Sequence, residues 1–307
     1  MTLDEFVERI LNNSLPAEGE LESAHIEHFS FSDLALPRWS FVDCVFKSGT
    51  LKQCDLTESR WLNCHFEQVT FEEVLLPNSF WHNTQSQQLT LKHCNLSESE
   101  WLTSQLQQLN SQHCQFNSAN ISQSQWPQWQ DQGSDLSDST FMQCQLERSI
   151  FVTLTAPRSS WLESDLNGVN FNAAQLENAR FLAGTTLQNA NIQAANLNNA
   201  SFAQANLKQA NLSESLLHSV NFSEADLSDA RVNRVMAERS VWVRANLNRT
   251  DCYGSQLMYT LWLEADLRQT DFSYANMYGA DFYLATFAET QWHKTILDQT
   301  QLQEWQP

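Results

Sequence analysis

From Leu187 to Ala230 a bulky apolar side chain recurs at every fifth position: Leu187, Ile192, Leu197, Phe202, Leu207, Leu212, Leu217, Phe222 and Leu227. Two residues before most of them stands a small one, as at Thr185, Ala190, Ala195, Ala200, Ala205, Ala210 and Ser215. The residue between is usually Asn or Asp. A period of five matches neither an amphipathic helix nor an alternating strand. It predicts a solenoid, in which successive units stack to bury one continuous core.

The same register extends over the chain from Leu21, with bulky centres at 21, 26, 31 and onward to 181, then at 187, 192 and onward to 302. One residue is inserted between the two runs, within 182–186, where Gly184 supplies the backbone freedom a bulge needs. Every fourth centre belongs to one series. One series reads Phe41, Trp61, Trp81, Trp101, Ile121, Phe141, Trp161, Phe181, Phe202, Phe222, Trp242, Trp262, Phe282, Leu302, whereas another is mostly leucine (Leu36, Leu56, Leu76, Leu96). This sorting predicts coils of four five-residue sides, with like side chains stacked on like. About fourteen coils at roughly 4.8 Å each would make a rod about 70 Å long.

Residues 1–20 read as a cap and lead-in. Thr2 and Glu5 fit a capping box, and Leu3, Phe6, Val7, Ile10 and Leu11 share one face of a short helix that Asn12-Asn13-Ser14 and Pro16 end. Such a helix would cover the open first coil; a partner-binding helix is the other reading. At 126–134 the register is strained. Asp131 falls on a core centre and Trp129 on a small site, and an unpaired inward carboxylate is costly. Trp126, Pro127, Trp129, Asp131 and Gly133 are therefore expected to loop out or to distort their wall. Pro37, Pro77, Pro127 and Pro157 each follow a centre, where a corner tolerates a missing N–H.

Ala205-Asn206-Leu207 and Ala265-Asp266-Leu267 resemble the repeat of pentapeptide-repeat proteins. That resemblance implies an all-β, right-handed quadrilateral parallel β-helix over residues 21–307, a single domain behind the N-terminal helix. In residues 21–181 Trp often takes the centre and Cys or Ser the small site, but the spacing holds. The opening helix is similar to that of bacterial pentapeptide proteins associated with type VI secretion. Quinolone-resistance pentapeptide proteins are a more distant likeness, which implies a DNA mimic that binds gyrase or another topoisomerase.

Charge narrows the function classes. Lys and Arg number 17 against 36 Asp and Glu, a net charge of −19. This disfavours direct nucleic-acid binding, which depends on cationic contacts to phosphate. It suits a soluble surface or one that attracts basic partners. No signal segment and no long apolar run is apparent, and seven cysteines fit a reducing cytoplasm. Cys44, Cys54, Cys64, Cys94, Cys114 and Cys144 fall on small inward sites and Cys252 on a centre, so they read as core rather than metal ligands. His93 and His113, beside two of them, point the other way. No nucleophile, phosphate-loop or metal motif stands out, so neither enzymatic activity nor a cofactor is expected.

The tyrosines carry the candidate site. Tyr253, Tyr259, Tyr274, Tyr278 and Tyr283 all fall on outward positions, with Met258 and Leu263 one coil away from Tyr278 and Tyr283. Exposed aromatic and Met clusters mark protein interfaces, although tyrosine ladders also stabilise stacked strands. The expected function is a protein-binding scaffold or adaptor with these seven residues as its contact; the alternative is the gyrase-directed mimic. Leu302 and Trp305 are expected over the last coil, or the C-terminal end pairs with a second copy.

Overall fold

Each five-residue repeat forms one side of a four-sided coil in the computed structural model, which describes residues 1–12 and 14–302. The hydrogen bonds of a single repeat explain why. The Leu56 N–H donates to the Leu75 carbonyl in the next coil at 2.8 Å, and the Glu58 N–H to the Pro77 carbonyl at 2.9 Å. The Asp55 N–H reaches back to the Leu34 carbonyl at 2.8 Å, and the Ser59 N–H closes a turn on the Leu56 carbonyl at 3.1 Å. One donor is left over, the Thr57 N–H, and the Asp55 carboxylate accepts from it at 3.0 Å.

That side-chain cap recurs, with Asn95 capping Ser97, Asn206 capping Lys208, Asp226 capping Ser228 and Asp271 capping Ser273. The Asn or Asp before each bulky residue therefore satisfies a backbone donor that would otherwise go unpaired. Pro37, Pro77, Pro127 and Pro157 sit at the capped position, where lacking the donor removes the need. The next residue turns the corner in the left-handed region, as at Glu58 (φ 57°) and Gln204 (φ 63°).

The chain forms two compact units, Met1–Ile150 and Phe151–Pro307. In the first, seven parallel strands pair in twenty-residue steps: Glu20–Glu22, Ser40–Val42, Arg60–Leu62, Phe80–His82, Glu100–Leu102, Asn120–Ser122 and Thr140–Met142. A second sheet contains the longer strands Val45–Lys52, His65–Glu72 and Gln85–Lys92. Inside, Phe41, Trp61, Trp81 and Trp101 stack with centroids 4.2, 4.9 and 4.2 Å apart. The small site two residues earlier holds the serine that each indole N–H needs: Trp61 donates to Ser59, Trp81 to Ser79 and Trp101 to Ser99, at 2.8–2.9 Å.

The second unit repeats this scheme with Phe181, Phe202, Phe222, Trp242 and Trp262, stacked at 4.2–5.3 Å. Ser240 and Thr260 accept from the two indoles. The expected one-residue slip is present: Asp165 pairs with Thr186, whereas Thr186 pairs with Asn206. Gly184, at φ 79° and with open space where a Cβ would lie, takes up the extra residue. Both units are thus parallel β-solenoid.

The helix Leu3–Leu11 carries the predicted capping box between Thr2 and Glu5. It buries only Phe6, which lies 5.4 Å from Trp39 and 6.1 Å from Phe31 between ring centroids. Val7 and Leu11, expected on the same buried face, are exposed. Asn13 and Trp305 lie outside the described residues. Among the described residues no helix is long and apolar enough to cross a membrane.

Of the two outcomes expected for residues 126–134, looping out does not occur. Gln130–Gln132 pairs in register with Asn110–Gln112, and Gln125 bridges to Gln145. Trp129 fills its small site because the centre facing it from the previous coil is only Ser111. The Trp129 indole donates to the Ser111 hydroxyl at 2.8 Å, Ser111 donates to the Asp131 carboxylate, and the Ser134 N–H donates to the other carboxylate oxygen at 3.1 Å. Asp131 is buried but not unpaired, and Trp126, Pro127 and Gly133 keep their places in the coil. The seven cysteines are all buried free thiols. Burial pushes the Cys144 thiol up to about 11 and raises those of Cys54 and Cys252.

Two outcomes are expected. Asp131→Ala strands the Ser111 hydroxyl and the Ser134 N–H and should cost about 1–3 kcal/mol in chemical denaturation, whereas Asp131→Asn, which keeps an acceptor, should cost less. A chromogenic disulfide reagent at pH 8 should leave all seven thiols unreacted in the native protein and titrate them after denaturation, because every sulfur is buried out of the reagent's reach.

Candidate functional site

Four walls organise unit Phe151–Pro307, and their outward side chains differ. Wall A runs through the inward residues Leu212, Val232, Cys252 and Phe272, and wall B through Leu217, Ala237, Leu257 and Met277. Wall C runs through Phe222, Trp242, Trp262 and Phe282, and wall D through Leu227, Leu247 and Leu267. The outward residue just before each of these is the capping position. On wall A it reads Asn211, Arg231, Asp251, Asp271, and on wall D Asn206, Asp226, Asn246, Asp266. On wall B it reads Asn196, Leu216, Met236, Gln256, Asn276, Ile296, and on wall C Asn221, Val241, Leu261, Asp281.

The apolar replacements therefore fall on two adjacent walls. Leu216, Met236, Leu261 and Ile296 are exposed, between 38% and 46%. A side chain without oxygen at this position forfeits the cap and also leaves apolar surface in water. In one case a neighbour compensates: the His218 N–H, uncapped by Leu216, donates to Asn198 at 3.1 Å. The signal was present in the sequence, as apolar residues where the repeat places Asn or Asp.

The tyrosines line the corners that bound these walls, but not as one cluster. Tyr253 and Tyr274 lie at the A–B corner with rings 5.2 Å apart, and Tyr274 also meets His293 at 5.3 Å and Lys294 at 5.2 Å. Met258, Tyr259 and Tyr278 lie at the B–C corner. There the Tyr259 ring packs edge-on against Tyr278 and sits so close over Gly279 that an added Cβ would meet it at 2.8 Å. Leu263 and Tyr283 lie at the C–D corner beside Leu284. Wall C is thus flanked by candidate residues on both sides, with Val241 and Leu261 between them. Tyr253 and Tyr274 stand apart from it, across wall B.

Charged groups on walls A and D are largely engaged. Arg249 binds Asp229 through two hydrogen bonds of 2.6 and 2.7 Å, and Arg268 binds Asp266. These guanidinium groups hold both carboxyls below their ordinary range. They line a polar groove of about 560 Å³ together with Lys208 and Glu289. Among the described residues, no three His, Cys, Asp or Glu side chains converge as metal ligands would.

The family model for pentapeptide repeats matches residues 195–234 and 259–303, in eight copies. The chain carries pentapeptide repeats, as the Ala-Asn-Leu pattern predicted. No curated protein sequence matches it. Among solved structures, one similar chain is HetL, a pentapeptide repeat protein involved in heterocyst differentiation regulation from the cyanobacterium Nostoc sp. strain PCC 7120. It is 13% identical over 98% of this chain and 95% of that one, with a TM-score of 0.23. QnrB1, a plasmid-mediated fluoroquinolone resistance protein, is 16% identical over 63% of this chain and 87% of its own, at 0.36. A pentapeptide repeat protein from the Arabidopsis thaliana thylakoid lumen is 30% identical over 38% of this chain and 64% of its own, at 0.22.

Restoring the cap tests the cost of the apolar walls. Met236→Asn and Leu261→Asn should each raise stability by about 0.5–1.5 kcal/mol in chemical denaturation, whereas Asp226→Ala on wall D should lower it by a similar amount.

Proposed function

We propose that the chain is a protein-binding scaffold whose contact is the apolar face formed by walls B and C of its C-terminal unit. The observation that carries this reading is the confinement of Leu216, Met236, Val241, Leu261 and Ile296 to two adjacent walls. Each replaces a capping side chain, and with Met258, Tyr259, Tyr278, Leu263 and Tyr283 they add exposed apolar area to walls B and C, interrupted on wall B by Gln256 and Asn276. Aromatic and Met side chains on such a surface supply contact area that a partner can desolvate. Tyr253 and Tyr274 belong to the edge of this face rather than its centre.

The gyrase-directed mimic has less support. Imitating duplex DNA needs closely spaced unneutralised charge. Here Glu67 and Glu72 are bridged by Lys47 and Lys52, and Asp229, Glu264 and Asp266 by Arg249, Arg244 and Arg268.

The test uses variants that restore the cap. Leu261→Asn and Met236→Asn leave the backbone donor satisfied, so lost binding cannot be ascribed to unfolding. A partner captured by the unaltered protein should bind these variants roughly tenfold more weakly, the loss of one or two buried apolar contacts. Asn246→Asp on wall D should bind unchanged. Equal affinity across all of them would remove the B–C face from the function.

A further inference from the structure

The first unit carries a second surface of different chemistry. A trough of about 520 Å³ runs along it, lined on one side by the corner residues Gln68, Gln88, Gln108 and Gln128. Its other side is the capping column that begins with Thr70 and Thr90. Every lining residue is an amide or a hydroxyl, in a chain whose net charge is −19. A smaller trough of about 310 Å³ adjoins the same corner, with Gln87 and Gln107 beside one carboxylate, Glu67, which Lys47 neutralises at 3.1 Å.

The turn itself does not single these glutamines out, since Gln, Glu and Arg hold the same corner conformation elsewhere, as at Gln53, Glu58 and Arg239; what sets the four apart is that they fill one column. All four hold left-handed backbone, with φ between 55° and 61°. Gly, Asn and Asp adopt that conformation most readily. Nor do the side chains close into a ladder of their own. Gln68 accepts from the Ser48 hydroxyl at 3.2 Å, while Asn110 and Gln130 tie back to the carbonyls of Gln108 and Gln128. The Gln88, Gln108 and Gln128 side chains are exposed, one per coil, at a spacing of about 4.8 Å.

We propose that this trough binds a linear, uncharged polysaccharide lying along the coil axis. Amides and hydroxyls both donate and accept, as sugar hydroxyls do, so each coil offers a matched pair of groups to each sugar ring. Other ligand classes lack their counterpart here. The lining has no Lys or Arg for a polyanion, no carboxylate set for a cation and no apolar side chain for a protein partner. The row of amides extends over four coils, which suits a polymer rather than a small molecule. The site is separate from the apolar face of the other unit.

Cellohexaose and maltohexaose are the uncharged probes, with an alginate hexamer as the acidic one, titrated by calorimetry or ligand-observed NMR. One of the uncharged probes should bind, and Gln88→Ala combined with Gln108→Ala should weaken it roughly tenfold. Gln209→Ala, at the equivalent corner of the other unit, should leave binding unchanged and controls for effects of corner substitution. Retained coil structure in the double variant is read by circular dichroism. Failure of both uncharged probes to bind, binding of the alginate hexamer alone, or equal binding by wild type and double variant would overturn the proposal.

Discussion

One backbone donor per repeat governs the design of this chain. Outside the strands, coil-to-coil bonds and the corner turn satisfy four of every five N–H groups, and the fifth, one residue past the inward bulky side chain, has no carbonyl to meet; in a strand such as Arg60–Leu62 that residue joins the ladder instead. An Asn or Asp carbonyl or carboxylate two residues earlier accepts from it, as Asp55 does from Thr57. The small residue, the capping residue and the bulky residue are therefore a physical unit: the first makes room, the second completes the hydrogen bonding and the third fills the core. Where proline takes the fifth position, the requirement disappears. Where an apolar residue takes the capping position and no proline follows, that side chain leaves the requirement unmet.

Most of the architecture was legible because the core positions recur without interruption. Stacked Trp and Phe, inward cysteines and the slip at Gly184 all follow from counting in fives. What counting in fives could not reveal was partnership between coils. Asp131 looked like an uncompensated buried charge because its partner, Ser111, stands twenty residues earlier in the chain and directly beside it in space. Read down the column instead of along the chain, Trp129 over a vacated Ser111 centre becomes a volume exchange. The indole-to-serine-to-carboxylate chain then supplies the missing polar partners. The N-terminal helix erred the other way: its apolar stripe was real, but only Phe6 finds a ring to cover.

The tyrosines show the same distinction at the surface. Their proximity in sequence suggested one patch, yet a four-sided coil distributes residues five apart onto successive corners. Tyr253, Tyr259 and Tyr283 therefore stand on three different edges. What joins the last two is wall C, whose Val241 and Leu261 carry no aromatic label. The two faces described in the two units also differ in kind. One is apolar and interrupts the capping rule, whereas the other keeps to uncharged hydrogen-bonding groups down a single corner column. Both departures lie at outward positions, so neither disturbs the stacked interior.

The insertion at Ala183-Gly184 has a consequence for how such a chain changes length. A corner takes up a single extra residue, and every wall beyond it keeps its facing, as the pairing of Asn170 with Asn191 across that point shows. Removing one whole repeat is a different event. It leaves the coil intact but indexes everything downstream by a quarter turn. Losing Asp226–Ala230 would move Val241 and Leu261 onto wall B beside Leu216 and carry Met236 and Ile296 to wall A. Twenty-residue duplications alone preserve direction. The solenoid thus behaves as a four-position dial, on which insertions at corners are silent and single-repeat deletions re-aim the surface.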